Sequence, residues 1–293
     1  MGFQVDVIDL DCPVIDVYYF SVYNDVPARD DLAPNCEEVF MAMQKCSSMV
    51  RPGMRLFGWL IPLTIIITLF LVSCGDDKAT EPERPITVTD VDGNVYQTIT
   101  VGSQVWMKEN LKVTHYRNGD PIPNVLEQGA WAALSTGAYC NYDNDTAVAT
   151  IYGRLYNWFA IDDSRNIAPQ GWHVATNEDW KKLEISIGIS PATADSLGSH
   201  GTVEAGKLKE AGTTHWRDPN TGATNESGFT ALPAGGRDTT KDFLALYECS
   251  FFWASDEYNG GRALFRTMWY DESYISCDAY DKESGFSVRC VRD

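Results

Sequence analysis

One uncharged, apolar stretch divides the chain. It runs over residues 56–72, begins just after Arg55 and ends just before Ser73 and Cys74. A basic start, an apolar centre and a small residue before the cleavage point are typical of a secretory signal peptide. A stretch of 17 residues is at the short limit for a membrane span, and acidic residues follow it where a stop-transfer helix has basic ones. We therefore predict a cleaved signal peptide over residues 54–73, with a transmembrane helix as the alternative.

The end of this stretch, Leu71-Val72-Ser73-Cys74, resembles the lipobox of bacterial lipoproteins. The resemblance implies cleavage before Cys74, lipid on its thiol and residues 75–293 outside the cytoplasm. Gly75-Asp76-Asp77 also resembles the acidic tag of lipoproteins displayed on the surface of Bacteroidetes-like bacteria. We expect a lipid anchor in the cell envelope, at the outer membrane or the cell surface, because each buried methylene of an acyl chain adds about 0.8 kcal/mol.

Residues 1–53 precede this signal peptide, although a signal peptide is read at the N-terminus. We interpret them as a mis-annotated N-terminal extension, with translation starting at Met54 or Met49. The alternative is a small domain built on the apolar run 14–23. After the signal peptide, residues 74–85 comprise the lipidated cysteine and a charged, proline-containing flexible linker.

The folded domain is predicted over residues 86–293. The chain contains 44% hydrophobic and 12% aromatic residues, which is ample for a packed core. Its formal net charge is -18. A surface of that charge repels phosphate backbones, so nucleic acid is excluded as a partner.

Local patterns predict a hairpin and two helices. Apolar and polar residues alternate from Thr87 to Val101 on both sides of a glycine turn. The run Asp90 to Asn94 is also similar to the start of a calcium loop, but no glutamate follows at the required position, so a simple turn is favoured. One helix begins after Thr176, with Asp179 placed to complete a capping box. A second helix is predicted over residues 202–211.

The last part of the chain alternates short apolar runs with turn residues, which predicts strands. These runs are residues 229–232, 251–254, 263–270, 274–277 and 286–291. Residues 106–163 show no sustained period and predict short strands with long ordered loops. Two helices followed by a late antiparallel sheet predict an α+β fold.

Eight sequence blocks cover nearly all of residues 86–293. They are TVTDVDGNVYQTITVGSQVWMKENLKVTHYRNGDPIP, GAYCNYDND, YGRLYNWFAI, APQGWHVATNEDWKKLE, KLKEAGTTHW, NESGFTALPAGGRD, FFWASDE and GFSVRCVRD. Together they resemble the Fibrobacter succinogenes major paralogous domain of bacterial surface and secreted proteins. The resemblance implies a C-type-lectin-like fold, similar to that of the sulfatase-modifying-factor group. The chain departs from many relatives at Asn141, Ala168 and Ala175, where they have Trp, Cys and Pro.

Four cysteines follow the lipidated one, namely Cys140, Cys249, Cys277 and Cys290. An even number in an exported domain predicts two disulfides, for which three pairings are possible. Cys140 and Cys290 lie in blocks that carry the family resemblance, and on that basis we favour Cys140 with Cys290 and Cys249 with Cys277. No pair has the Cys-x-x-Cys spacing of a zinc site, and disulfides would leave no thiol for catalysis.

The best binding candidate is the segment Asn141-Tyr142-Asp143-Asn144-Asp145, which adjoins Tyr139. Its oxygen-bearing side chains and aromatic rings suit sugar hydroxyls, and Asp143 and Asp145 suit a calcium ion. The alternative is that Asn and Asp form a turn here and satisfy nearby backbone groups.

Trp253 is the remaining ligand-binding candidate, because it comes from the loop-rich part where a lectin-like fold often carries its recognition surface. Trp216, Arg237 and Asp256 come from the same part. Phosphate-binding, metalloprotease and nucleophile-elbow motifs are missing, so we expect no enzyme and no cofactor besides the calcium ion above. We predict an exported, lipid-anchored, non-catalytic binding module for a glycan or another surface protein. The alternative is a structural or assembly component of the cell envelope.

Overall fold

The structure, a computed structural model, describes residues 87–293. The predicted extension, signal peptide, lipidated Cys74 and linker fall on residues 1–86, outside the described residues, and stay predictions. Within residues 87–293, no helix combines the length and the apolar character that crossing a membrane requires.

The hairpin predicted at the start of the domain is confirmed. Strand β1 (Thr87–Thr89) pairs antiparallel with strand β2 (Val95–Val101). Between them, the Asp90 carboxylate accepts hydrogen bonds from the backbone nitrogens of Asp92, at 3.0 Å, and Asn94, at 2.9 Å. The carboxylate of Asp90 thus serves the turn, as turn chemistry predicts.

The first sheet joins the two ends of the described chain. Besides β1 and β2 it contains β3 (Gln104–Met107), β6 (Trp172–Val174) and β13 (Cys290–Arg292). The order is β1-β2-β3-β13-β6, and every neighbouring pair is antiparallel. Val291 lies opposite both Trp106 and His173, so the last strand closes the sheet between two segments that are far apart in sequence.

The second sheet is the late sheet that the sequence predicted. Its strands are β7 (Gly198–His200), β8 (Ala234–Asp238), β9 (Asp242–Leu246), β10 (Cys249–Asn259), β11 (Arg262–Trp269) and β12 (Ile275–Asp281). They follow the order β7-β12-β11-β10-β8-β9. Strands β10, β11 and β12 form its antiparallel centre, and β8 joins β10 in parallel.

Two of the predicted late strands behave differently. Residues 229–232 form only an isolated bridge. Residues 286–291 contribute β13, which belongs to the first sheet. A separate small sheet pairs β4 (Tyr139–Cys140) with β5 (Leu155–Tyr156). A short apolar run indicates a strand but does not reveal which sheet the strand joins.

The helices of the described part are short. They are α1 (Gln128–Ala132), α2 (Thr146–Tyr152), α3 (Trp158–Ile161), α4 (Asn177–Ser186), α5 (Pro191–Ala194) and α6 (Glu204–Leu208), with a 3-10 turn at Tyr142–Asn144. The capping box of α4 is confirmed, because the Thr176 hydroxyl accepts from the Asp179 nitrogen at 3.1 Å and the Asp179 carboxylate accepts from the Thr176 nitrogen at 3.0 Å. Helix α6 covers only part of residues 202–211. Strands dominate within residues 87–293, and there are more helices than the two predicted. This content is consistent with the predicted α+β class and equally with a mostly-β fold.

Aromatic rings fill the space where α4 meets both sheets. The ring of Trp180 in α4 lies 5.1 Å from that of Trp106 in β3 and 5.4 Å from that of Phe252 in β10, between centroids. Phe286 and Trp253 continue the core, with centroids 4.5 Å apart. Such tilted pairs add stability beyond the burial of their apolar area.

Buried basic side chains hold the long loops together. Lys209, Arg237 and Arg289 are fully buried, and each donates hydrogen bonds to backbone carbonyls of loops or strand ends. The acceptors are Thr221, Trp269 and Glu272 for Lys209, Val125 and Leu126 for Arg237, and Met107, Phe229 and Thr230 for Arg289. Met107 and Trp269 are the last residues of β3 and β11, and the other acceptors lie in loops. A cationic donor satisfies such carbonyls where they are buried.

Candidate functional site

The predicted binding segment, residues 141–145, is a capped turn. Asp143 and Asn144 have φ angles of 51° and 58°, in the left-handed region that Asp and Asn tolerate best among non-glycine residues. The Asp145 carboxylate accepts from the Ala147 nitrogen at 2.8 Å and caps α2. The turn interpretation therefore accounts for the Asp145 carboxylate and for the positions of Asp143 and Asn144.

The other side chains of this segment are buried. Arg154 donates to the Asn141 side-chain oxygen at 2.5 Å, and its guanidinium lies 4.9 Å from the ring centre of Tyr139. Tyr142 packs against Phe243, with ring centroids 5.1 Å apart. Tyr139, Asn141 and Tyr142 thus build the interior of the domain.

The acidic residues of the segment remain exposed. Across residues 87–293, however, no group of three or more His, Cys, Asp and Glu side chains is arranged to hold a metal ion. Calcium at Asp143 and Asp145 gains no support from this geometry and stays a prediction.

The placement of Trp253 corrects its predicted role. The side chain is fully buried, and its indole nitrogen donates to the Tyr156 carbonyl at 2.9 Å. A ring enclosed by core residues such as Phe286 has no free face for a ligand. Trp216 and Arg237, which come from the same part of the sequence, are buried as well.

The predicted disulfide between Cys249 and Cys277 is wrong. Cys249 in β10 lies opposite Trp269, and Cys277 in β12 lies opposite Arg266, so strand β11 separates the two cysteines. Two strand spacings amount to about 10 Å, whereas bridged cysteines have Cα atoms within about 7 Å of each other. Cys277 instead accepts a hydrogen bond from the Arg266 guanidinium at 2.8 Å.

The predicted bridge between Cys140 and Cys290 is also wrong. Cys140 pairs with Leu155 in the small sheet, and Cys290 pairs with Val174 in the first sheet. All four thiols are free and buried. Burial raises the pKa of Cys140 to about 12 and also raises the pKa of Cys290. Buried thiols of raised pKa are poor nucleophiles.

One cavity of the domain, of about 290 Å³, lies beside Asp90 and Arg117. The Arg117 guanidinium donates to the carbonyls of Ala168, Pro169 and Trp172 at 2.8 to 2.9 Å. The Asp90 carboxylate accepts hydrogen bonds from the backbone of the turn between β1 and β2. The charged groups of this cavity therefore hold the fold and leave little capacity for a ligand.

A second cavity, of about 340 Å³, is different. It is lined by Thr213, Thr214, His215, Trp216, Arg217, Leu246, Tyr247 and Glu248, and is called the Tyr247 cleft below. One wall is the loop after α6, and the other is the turn between β9 and β10. A cleft with aromatic and polar groups from distant segments has the usual composition of a ligand site.

Backbone hydrogen bonds hold the two walls in register. The nitrogen of Arg217 donates to the Tyr247 carbonyl at 2.8 Å, and the nitrogen of Tyr247 donates to the Pro233 carbonyl at 3.0 Å. Tyr247 has a φ angle of 67°, which is rare for a bulky residue. Strained conformations of this kind persist where the surrounding structure enforces them, and they cluster at ligand sites.

Aromatic rings form one side of the Tyr247 cleft. The Tyr247 side chain is 50% exposed, and its ring lies 6.0 Å from that of Tyr152, edge to face. Tyr152 also contacts the His215 ring at 5.7 Å. Burial raises the pKa of Tyr152 to about 12, with further contributions from Tyr247 and Glu210. Tyr152 is the last residue of α2, and Asp145 of the predicted segment 141–145 caps the start of the same helix. Helix α2 therefore connects that segment to the cleft.

Polar groups line the rest of the cleft. The His215 Nδ1 atom lies 2.9 Å from both carboxylate oxygens of Glu210, which orients the imidazole. The Arg217 guanidinium forms an ion pair with Glu248, whose side chain is 34% exposed, and this carboxylate raises the pKa of Arg217. Among residues 87–293, no partner is recorded for His215 Nε2, the second Glu248 oxygen or the Tyr247 hydroxyl.

Both walls of the cleft lie inside a region that a family model matches. The sequence model of the Fibrobacter succinogenes major domain matches residues 99–292. The chain belongs to this family. No curated protein and no solved structure matches the chain. This match confirms the resemblance that the sequence blocks indicated. All residues that line the Tyr247 cleft lie within the matched part of the Fibrobacter succinogenes major domain.

Sequence analysis named Trp216 but missed the other residues of the Tyr247 cleft. Tyr247, between Leu246 and Glu248, belongs to no motif that would mark it as functional. The two walls of the cleft are distant in sequence and meet only in the folded domain. A weak signal was present, because residues 213–216 belong to the KLKEAGTTHW block that carries the family resemblance. In a Fibrobacter succinogenes major domain, such a block outside regular strands and helices is worth testing for binding.

Proposed function

We propose that the protein is an exported, lipid-anchored, non-catalytic binding module of the cell envelope, and that the Tyr247 cleft holds one residue of a glycan. The single observation that carries the proposal is the half-exposed Tyr247 ring beside His215 Nε2 and Glu248 Oε2, which have no hydrogen-bond partner among residues 87–293. A pyranose has an apolar C–H face and a rim of hydroxyl groups. An aromatic face together with free donors and acceptors complements both parts.

The other parts of the proposal rest on the sequence. The segment that ends at Cys74 supports lipid anchoring and export. The sequence resemblance supports a C-type-lectin-like form of the α+β fold. The burial of all four thiols of the domain supports the absence of cysteine chemistry.

A glycan array tests the proposal. The purified full chain is applied with and without calcium, alongside Tyr247→Ala and a control, Tyr258→Ala. Tyr258 is 52% exposed but lies on β10, away from the cleft, so it matches Tyr247 in exposure only. We expect binding to one sugar class, lost in Tyr247→Ala and kept in Tyr258→Ala. Equal binding by both variants would show that the glycan site lies outside the Tyr247 cleft. If the wild-type chain bound no glycan, the glycan proposal would be wrong.

A second candidate function is a structural or assembly component of the envelope. The fully buried cations that hold the loops favour it, because a rigid spacer needs such loops whether or not it binds a ligand. Crosslinking in cells from a photoreactive residue at position 247 distinguishes the two. Crosslinks to one envelope protein and none to glycan would favour the structural role.

A further inference from the structure

We infer that the Tyr247 cleft selects a neutral hexose, held through two adjacent hydroxyl groups by Glu248 and Arg217, over an acidic sugar. This inference rests on the proposed function and specifies its ligand. It follows from the side chains that offer hydrogen bonds in the cleft and from their charges.

The Arg217–Glu248 pair presents a donor and an acceptor side by side. The Arg217 side chain is 57% exposed and touches Glu248 through one nitrogen, Nη1. Its Nε and Nη2 atoms and the Glu248 Oε2 atom have no hydrogen-bond partner among residues 87–293, and the guanidinium lies 5.0 Å from the ring centre of Tyr270. Two neighbouring sugar hydroxyls can each donate to the carboxylate and accept from the guanidinium, and hydrogen bonds to charged groups are the stronger kind.

Each basic side chain that lines the cleft has an acidic partner. Arg217 is paired with Glu248, and His215 with Glu210. Asp271 is a further acid close enough to raise the pKa of Arg217. A sugar carboxylate bound to the free Nε and Nη2 atoms of Arg217 would lie beside the acids Glu248 and Asp271. Like charges in such proximity disfavour the acidic ligand, which gives selectivity by repulsion.

His215 supplies a third polar contact. Its Nδ1 atom lies 2.9 Å from the Glu210 carboxylate, which leaves Nε2 for a ligand. A sugar hydroxyl can both donate and accept, so it can pair with this nitrogen.

The test compares neutral and acidic sugars on the same chain. The purified full chain is titrated with oligosaccharides of neutral hexoses and of hexuronic acids of equal length. Glu248→Gln is compared with Asp281→Asn, which alters the Arg262–Asp281 pair on β11 and β12, where the arginine is also 57% exposed. We expect neutral sugars to bind, Glu248→Gln to weaken binding about tenfold or more, and Asp281→Asn to change nothing.

Other outcomes separate the two proposals. A preference for hexuronic acids, strengthened by Glu248→Gln, overturns the neutral-sugar inference and leaves the glycan module standing. Neutral-sugar binding that Tyr247→Ala abolishes and Glu248→Gln leaves intact overturns the diol contact alone. Binding of no sugar of either kind overturns both.

Discussion

Two arginines of this domain have the same chemistry and opposite surroundings. Arg289 is fully buried, and its guanidinium donates to the Asn110 side chain at 2.6 Å and to three backbone carbonyls. Arg217 is more than half exposed, and its recorded hydrogen bond goes to Glu248. Burial lowers the pKa of Arg289, whereas the Glu248 carboxylate raises that of Arg217.

The difference separates polar groups that build the fold from polar groups that are open to a ligand. A buried cation is tolerated only when its donors are satisfied, so its partners can be named within the domain. At the Tyr247 cleft, the carboxylate, imidazole and guanidinium keep unused atoms, because solvent satisfies them until a ligand replaces it. Unused hydrogen-bonding capacity, and not charge alone, points to the candidate site.

The largest expected effect comes from removing each arginine in turn. Arg289→Met leaves an amide oxygen and three carbonyls without their buried donor, and we expect a loss of about 3–5 kcal/mol in the free energy of unfolding. Arg217→Met should leave the free energy of unfolding nearly unchanged, because exposed ion pairs contribute little. Urea unfolding of the full chain, followed by tryptophan fluorescence, measures both.

Arg289→Lys serves as the control for charge, because it keeps the cation but cannot reach all the acceptors at once. It should fall between wild type and Arg289→Met. Equal stabilities for Arg289→Met and Arg217→Met would remove the distinction between the two sites.

A smaller effect separates the predicted segment from the cleft. Asp145→Ala removes the cap of α2 and should destabilise the domain by about 1 kcal/mol. Asp143→Asn keeps a residue type that tolerates the φ angle of 51°, and the Asp143 side chain is exposed without a hydrogen-bond partner among residues 87–293, so stability should change by about 0.5 kcal/mol or less. Neither variant should alter glycan binding when thermal unfolding shows a folded protein. Loss of binding in either, without loss of stability, would return the site to residues 141–145.

The smallest effect concerns pH. His173 lies between Asp179, at 2.9 Å, and Asp293, at 2.7 Å. Burial lowers the pKa of His173, but the hydrogen bonds to the two carboxylates outweigh it, so the pKa is raised. Its contribution to stability should therefore be complete below about pH 6.5, the ordinary pKa. This stabilising contribution of His173 should be lost as the pH rises through its higher pKa in the folded protein.

Melting temperatures of wild type and His173→Asn, measured from pH 5 to pH 9, check this sign. Their difference should shrink as the pH rises, and Asp293→Asn should reduce the pH dependence in the same direction. A difference that stays constant across the range would show that His173 acts through packing only.

Features that depend on neighbouring residues could be predicted from the sequence. The Asp90 turn and the Thr176 capping box are each completed within a few residues, so their spacing alone indicates them. The late sheet followed from runs of strand-forming residues between turns. The family blocks led to the domain family, and the family match confirms it.

Pairings between distant segments could not be predicted in this way. The cysteine count suggested two disulfides, but β11 lies between Cys249 and Cys277. The order of strands in a sheet cannot be read from the spacing of residues along the chain. Trp253 looked available in a loop-rich stretch, yet it lies on β10 with its ring enclosed. The core of aromatic rings and buried cations makes disulfides unnecessary for a domain of this size.

By itself, the sequence determined the local turns, the caps, the strand-rich end of the domain and the family. Only the tertiary structure decided which polar atoms were satisfied. Whether a carboxylate or guanidinium has a partner depends on residues that meet across the fold, such as Arg217 with Glu248 and His215 with Glu210. Hydrogen bonds act over about 3 Å, so the atoms left free for a ligand are known only once the chain has folded.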